Sequence, residues 1–353
     1  MTNGRPVTDS AAAPWVATLD PLGDGRLVDD AVCGGALVTP DRVVTAAHCL
    51  DGTDPSRLRI HLNARVLSAE LGVVRAARSV ASLPGYRILR SPLAPESDDT
   101  GSARYDLAVI LLDRPVTEVP YLPVARSRPA AGTPMSFFAH GLTGKNVPPG
   151  DPDYRNDVLN RGELAVLAHR DCAAATPAIV DEASVVCARS LSAPPVTGCW
   201  RDSGSPAVVS VAGRPALAGV FSFGGETAGK ACGEPAPVAF GDVASFRQWI
   251  LGPLHERAPY PLSRPVVAAA GQSLRCAGPT WDRRRGQRPL DERISWAVRS
   301  YVGPYPVLTP IPDATSTVLR LTADVKGEVV CVVDARNGGG AIRTLSAATR
   351  IAG

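Results

Sequence analysis

The chain has 353 residues, 45% of them apolar and 20% charged. That composition buries a core and excludes a disordered chain, and the length suits two or three domains. A net charge of +3 is too small to argue for a nucleic-acid partner. No apolar run reaches the roughly 18 residues of a membrane span.

In chain order, the opening MTNGRPVTDS lacks the basic start and apolar stretch of a signal peptide. Short β-rich runs then dominate to about residue 250. AVCGGALV, RVVTAA, LRIHLN, LAVILL, PMSFFAHG, ELAVLA, PAVVSV and LAGVFSF are each bounded by Gly, Pro or Asp. The first helical spacing is in DVASFRQWIL, 242 to 251, where Val243, Phe246, Trp249 and Ile250 share a face. Many short strands and one closing helix predict an antiparallel barrel or sandwich. Residues 252–265, with four prolines, read as a linker. A second strand-rich block, 266–353, carries PVVAAA, ISWAVRS, STVLRLTA and EVVCVVDA. Its Arg-rich DRRRGQR, 282 to 288, reads as a solvated loop.

The eight cysteines form no CxxC pair and do not meet the histidines at zinc spacing. Disulfides and an oxidising compartment are the expectation. No cofactor or metal is expected. A Cys33–Cys49 bridge would clamp His48 between neighbouring strands. Taken alone, His48 reads as a packed residue. Asp106, heading the apolar run LAVILL, needs a partner or a hydrogen-bond nest if it is buried. Ser203 becomes a nucleophile only if a base and an orienting carboxylate exist elsewhere.

CGGALVTPDRVVTAAHC, YDLAVILL and CWRDSGSP occur in that order, and together they resemble the trypsin-like (chymotrypsin-fold) serine proteases. The resemblance covers about residues 1–251. It implies an all-β protein: two six-stranded antiparallel β-barrels with a C-terminal helix and the active site between the barrels. It also implies roles. Ser203 attacks the carbonyl, His48 moves its proton, Asp106 orients the imidazole, and Ser222 supports Asp106. The backbone N–H groups of Arg201 and Ser203 form the oxyanion hole. Asp202 pairs with the N-terminal amine, here expected at Met1. The primary pocket takes Thr197 at its base, Gly198, Phe223 and Gly224 on its walls, and Val238 narrowing it, while Trp200 either covers the pocket rim or only packs against the surface. A small or medium uncharged side chain would precede the cleaved bond. Extra residues fall within 226–238. Family bridges are Cys33–Cys49, Cys172–Cys187 and Cys199–Cys232. His140 stands where the family has Trp and reads as packing.

Two positions depart from the family loop. Ser205 and Arg201 replace glycines. Arg201 either tolerates an unfavourable backbone, at roughly 1–3 kcal/mol, or its peptide flips and removes an oxyanion donor. Two functions follow. One is a secreted serine endopeptidase acting on protein or peptide substrates through an acyl-enzyme. The other is a pseudoprotease serving as a binding or adhesion module.

In the C-terminal block, Cys276, Trp296 and Cys331 resemble an immunoglobulin-like β-sandwich, in which Trp packs on an inter-sheet disulfide. It is either a plain appendage or a module for a protein or surface ligand. The composition, rich in Ala, Pro, Gly and Arg, suggests a bacterial genome.

Overall fold

The computed structural model describes the chain apart from residues 24, 97–99, 144–155, 225–231, 233–234, 303–304 and 352–353. Six strands close the first barrel: Val16–Asp20, Cys33–Thr39, Arg42–Thr45, Ala108–Leu112, Val73–Ser82 and Arg59–Leu62, in that spatial order. Their inward Leu, Val and Ile side chains (Leu19, Leu37, Val44, Ile60, Ile110) are buried in one apolar cluster. Closure removes the free strand edges of an open sheet.

Six further strands form the second barrel: Asn160–Val166, Pro134–Ala139, Pro206–Val211, Arg214–Gly224, Val238–Asp242 and Val185–Ser190. The last pairs back onto the first. Phe137, Phe221 and Phe240 meet in its core at 5.3–6.0 Å between ring centroids, a separation typical of attractive aromatic pairs. The short strand Arg5–Pro6 adds to Asn160–Val166 and draws the N-terminus against this barrel.

The closing helix is shorter than its spacing predicts. It spans Arg247–Leu251 only. Asp242 ends a strand instead of starting the helix, and its carboxylate accepts the N–H groups of Ala244 and Ser245. Those bonds hold 243–246 as a turn, because a side chain that satisfies local N–H groups competes with the helix. Ile250 still reaches the core.

Beyond it, 252–265 is not a free tether. Ala258 donates its N–H to the Val80 carbonyl at 2.9 Å, and the buried Tyr260 gives its hydroxyl to the Ala77 carbonyl at 3.0 Å. Arg285, from the Arg-rich segment, stacks on the Tyr260 ring at 5.2 Å.

The C-terminal unit has two antiparallel sheets. One joins Val266–Ala270, Ser273–Ala277 and Val318–Arg320. The other joins Tyr305–Pro310, Asp291–Val302, Gly327–Asn337 and Gly340–Leu345, with Thr349–Ile351 also on Gly327–Asn337. The Cys276–Cys331 disulfide links the sheets. Trp296 lies directly across from Cys331 in the register and is 1% exposed. Its indole N–H, which would be costly to bury alone, donates to the Ser316 carbonyl at 2.9 Å. The other disulfides are Cys33–Cys49, Cys172–Cys187 and Cys199–Cys232. Among the described residues no helix is long and apolar enough to cross a membrane.

Trp296 fills the space beside the inter-sheet bridge. Trp296→Ala is therefore expected to destabilise the C-terminal unit by about 3–5 kcal/mol, read as a lower guanidinium midpoint in unfolding followed by circular dichroism.

Candidate active site

Strand pairing brings His48 and Asp106 together. Thr45, at the end of Arg42–Thr45, lies opposite Ala108, at the start of Ala108–Leu112. The chain leaves Thr45 into the single turn Ala47–Cys49 and enters Ala108 from Asp106, so both side chains sit at the same end of the barrel. His48 Nδ1 is 2.7 Å from Asp106 Oδ2, and the His48 backbone N–H donates to Asp106 Oδ1 at 3.0 Å. The Ser222 hydroxyl donates to Asp106 Oδ2. Asp106 is thus a buried carboxylate with three donors, as its burial requires.

Ser203 arrives from the second barrel. Its carbonyl accepts the Gly34 N–H at 2.7 Å, and Gly204 donates to the Phe221 carbonyl at 2.7 Å. Gly204 has φ +76°, and a Cβ there would lie 2.2 Å from Thr45 Oγ1 and 2.4 Å from the Gly34 carbonyl oxygen. Only glycine permits that approach. It seats Gly204, next to the half-buried Ser203, against Thr45 and Ala46, immediately before the His48 turn. Among the described residues, the Ser203 N–H donates to no protein acceptor. Ser205 has its own accommodation. Its side chain lies over Gly34, where a Cβ would come within 2.1 Å of Ser205 Oγ.

Arg201 adopts φ +70°, a left-handed conformation costly for a residue with a Cβ. Its guanidinium holds it there, donating to the carbonyls of Val28 at 3.4 Å and Asp29 at 2.8 Å. Those carbonyls belong to the one-turn helix Leu27–Asp30, where cations are favoured at the C-terminal end.

Asp202 is buried with the Met1 amine 2.6 Å from its Oδ2. Gly141 and Cys199 donate N–H groups to the carboxylate at 2.7 and 2.8 Å, and the amine donates to the Leu142 carbonyl at 2.9 Å. Burial favours the neutral forms, pushing the carboxyl up and the amine down, and the ion pair with these bonds opposes it. His140 is buried, and burial lowers it to about 4. It rests on the Arg65 carbonyl at 3.3 Å as a packed, neutral ring.

Around the pocket, Thr197 exchanges backbone bonds with Thr2, and Val238 is buried in the second-barrel core. Gly198 faces Gly224, whose added Cβ would stand 4.0 Å from the Gly198 carbonyl. Phe223 is half-buried, while Trp200 is 66% exposed. Sequence reading missed Phe221. Its ring presses on Gly198, where a Cβ would meet it at 2.2 Å. Most of 226–238 lies outside the described residues. Cys33, His48 and Cys49 place ligand-type atoms within 4.8 Å of one another, but both sulfurs are in one disulfide and cannot coordinate a metal.

Burial alone would lower the His48 pKa. The Asp106 charge and hydrogen bond, with a smaller contribution from Asp51, outweigh it and hold His48 above its ordinary 6.5. Burial alone would raise Asp106. His48, by charge and hydrogen bond, with the Ser222 hydroxyl and the His48 N–H, holds it below 3.8. The raised His48 pKa contributes stability that is full below 6.5 and is lost as pH rises through the folded value. The depressed Asp106 pKa contributes stability present above 3.8 and lost as pH falls through its folded value. In an NMR titration, His48 is expected to deprotonate above pH 6.5. Asp106→Asn removes the charge but not the burial, so its His48 midpoint is expected at or below 6.5.

A family model described as Trypsin matches residues 1–250. Trypsin zeta of Drosophila erecta is 26% identical over 260 residues, covering 70% of this chain and 83% of that protein. A trypsin of Saccharopolyspora erythraea is 28% identical over 218 residues, covering 61% of this chain and 83% of its own. Serine protease 56 of Homo sapiens is 28% identical over 261 residues, 70% of this chain, and the match spans 38% of that longer protein. The solved structure of neuropsin, a serine protease expressed in the limbic system of mouse brain, superimposes with a TM-score of 0.55 at 23% identity. It covers 71% of this chain and 98% of that one, a likeness of fold. With its two closed barrels and a family match over most of its length, the chain belongs to the trypsin family of serine proteases.

Proposed function

We propose that the chain is a secreted serine endopeptidase that hydrolyses peptide bonds through Ser203, His48 and Asp106. The observation that carries this reading is the buried Asp106 carboxylate held by His48 and Ser222. It fixes one imidazole tautomer: Nδ1 carries the proton toward Asp106, and Nε2 is left to accept one. Ser203 Oγ adds to the substrate carbonyl as His48 Nε2 takes its proton. The oxyanion is met by the N–H groups of Ser203 and Arg201. Collapse breaks the C–N bond, and the same proton passes to the leaving amine. Water then repeats the sequence on the acyl-enzyme and releases Ser203.

The positive φ of Arg201 supports an intact oxyanion hole and weighs against the pseudoprotease reading. The buried Met1–Asp202 pair resembles the family's activated arrangement. Val238 and Phe221 support a shallow primary pocket that takes a small or medium uncharged side chain. Four disulfides support an oxidising, extracellular location. The inter-sheet bridge beside Trp296 supports an immunoglobulin-like assignment for 266–353.

A fluorophosphonate probe tests the reading, since it requires both an activated serine and a usable oxyanion site. The wild-type chain is expected to label, and Ser203→Ala is not. Absence of wild-type labelling in folded protein would make the loop a relic. Arg201 has its own expected pattern. Arg201→Gly relieves the strain and keeps the labelling rate. Arg201→Ala keeps the Cβ but loses the guanidinium anchor, and slows labelling by up to about 10²-fold, as loss of one oxyanion donor does. Equal rates for the two variants would show that the anchor does nothing.

A further inference from the structure

The C-terminal unit docks beside His48. The Gly52 N–H, four residues on, donates to the Ala341 carbonyl at 3.2 Å, and the Ser82 N–H donates to the Gly339 carbonyl at 2.8 Å. Ala335 and Ile342 join the apolar cluster of the first barrel. Where the bend at 51–52 faces the C-terminal sheet, a cleft of about 430 Å³ opens. That lies within the roughly 300–1,000 Å³ of sites that enclose a drug-sized molecule, room for a short stretch of polypeptide.

Three aspartates and three arginines line the cleft. Asp51 stands at the His48 end. From the C-terminal unit, Arg343 forks onto Asp334, with Nε to Oδ1 at 2.7 Å and Nη2 to Oδ2 at 3.0 Å. That pair is satisfied. Arg336 and Arg293 instead share one carboxylate oxygen, Asp291 Oδ2, at 2.9 and 3.3 Å. Two guanidiniums on one carboxylate leave a positive surplus. Each carries five donors, and their side chains are 64% and 73% exposed. The guanidiniums of Arg293 and Arg336 thus offer more donors than the one Asp291 oxygen they share accepts. Asp51 repels a carboxylate at the end nearest His48, so the acid must lie farther along.

We infer that this cleft is an exosite for the polypeptide substrate, in which Arg293 and Arg336 bind an acidic side chain several residues from the bond that is cut. The inference rests on the endopeptidase reading for the identity of its occupant. The C-terminal unit then contributes part of the substrate-binding surface and is not an appendage.

The test separates binding from cleavage. The full chain carrying Ser203→Ala is titrated into a fluorescein-labelled peptide with a block of glutamates, and anisotropy is followed at low and high salt. A matched peptide carries glutamines in their place. The acidic peptide is expected to bind, the glutamine peptide to bind at least about tenfold more weakly, and added salt to weaken the acidic complex. Adding R293E and R336E is expected to weaken the acidic peptide by at least about tenfold and to leave the glutamine peptide unchanged. The inference is overturned if the acidic peptide does not bind, if charge reversal leaves its affinity intact, or if both peptides lose affinity together. With Ser203 restored, R293E/R336E is expected to label with fluorophosphonate at the wild-type rate. A wild-type chain that never labels defeats the endopeptidase reading, whereas an acidic peptide indifferent to Arg293 and Arg336 defeats the exosite alone.

Discussion

The geometry of the loop that carries Ser203 depends on one buried carboxylate. Asp202 lies between an amine from residue 1, an N–H from the end of the strand Pro134–Ala139 and an N–H from its own loop. Each partner comes from a different part of the second barrel. A buried carboxylate tolerates few vacancies in its hydrogen-bond shell, so the three segments are fixed relative to one another. The residues on either side, Arg201 and Ser203, are placed as a consequence. This explains how a loop with a strained arginine keeps a defined shape: the strain is held between the Asp202 nest and the Val28–Asp29 carbonyls.

The second constraint is the seam between the barrels. Gly34 donates to the Ser203 carbonyl, Thr45 donates to the Gly34 carbonyl, and Gly204 fits only because it lacks a side chain. The loop that carries Ser203 meets the strand end that precedes His48 through contacts that leave no room for a methyl group. Interiors packed this closely are not continuously deformable. The charge network of His48, Asp106 and Ser222 is therefore set by backbone geometry before any side chain chooses a rotamer.

Much of this was legible in the sequence because its signals are local. Strands such as Ala108–Leu112 and Pro206–Val211 are rich in branched apolar residues, and their neighbours carry the motif residues. Val73–Ser82 was not legible. Its middle reads Arg-Ala-Ala-Arg-Ser, and its burial comes from partner strands, not from its own composition. The end of the closing helix was legible, but its start was not, because Asp242 also serves the preceding strand. Phe221 reads as one more apolar strand residue, and only the three-dimensional approach of Gly198 gives it a place beside the pocket. The arginine anchor spans 172 residues to Asp29, and no local pattern announces a pairing at that distance. The cleft at Asp51 was invisible for the same reason, since its walls come from segments that meet only when the C-terminal unit docks.

The docking of that unit has a further consequence. Ala335 and Ile342 are not surface residues of a tethered module but part of the same apolar cluster as Leu37 and Ile110. The segment between the units is itself stitched to the barrel through Ala258 and Tyr260. Cutting the chain within 252–265 would therefore not liberate two independent pieces. The fragments would stay associated as a nicked whole, and a barrel made without its partner would present bare apolar surface to water.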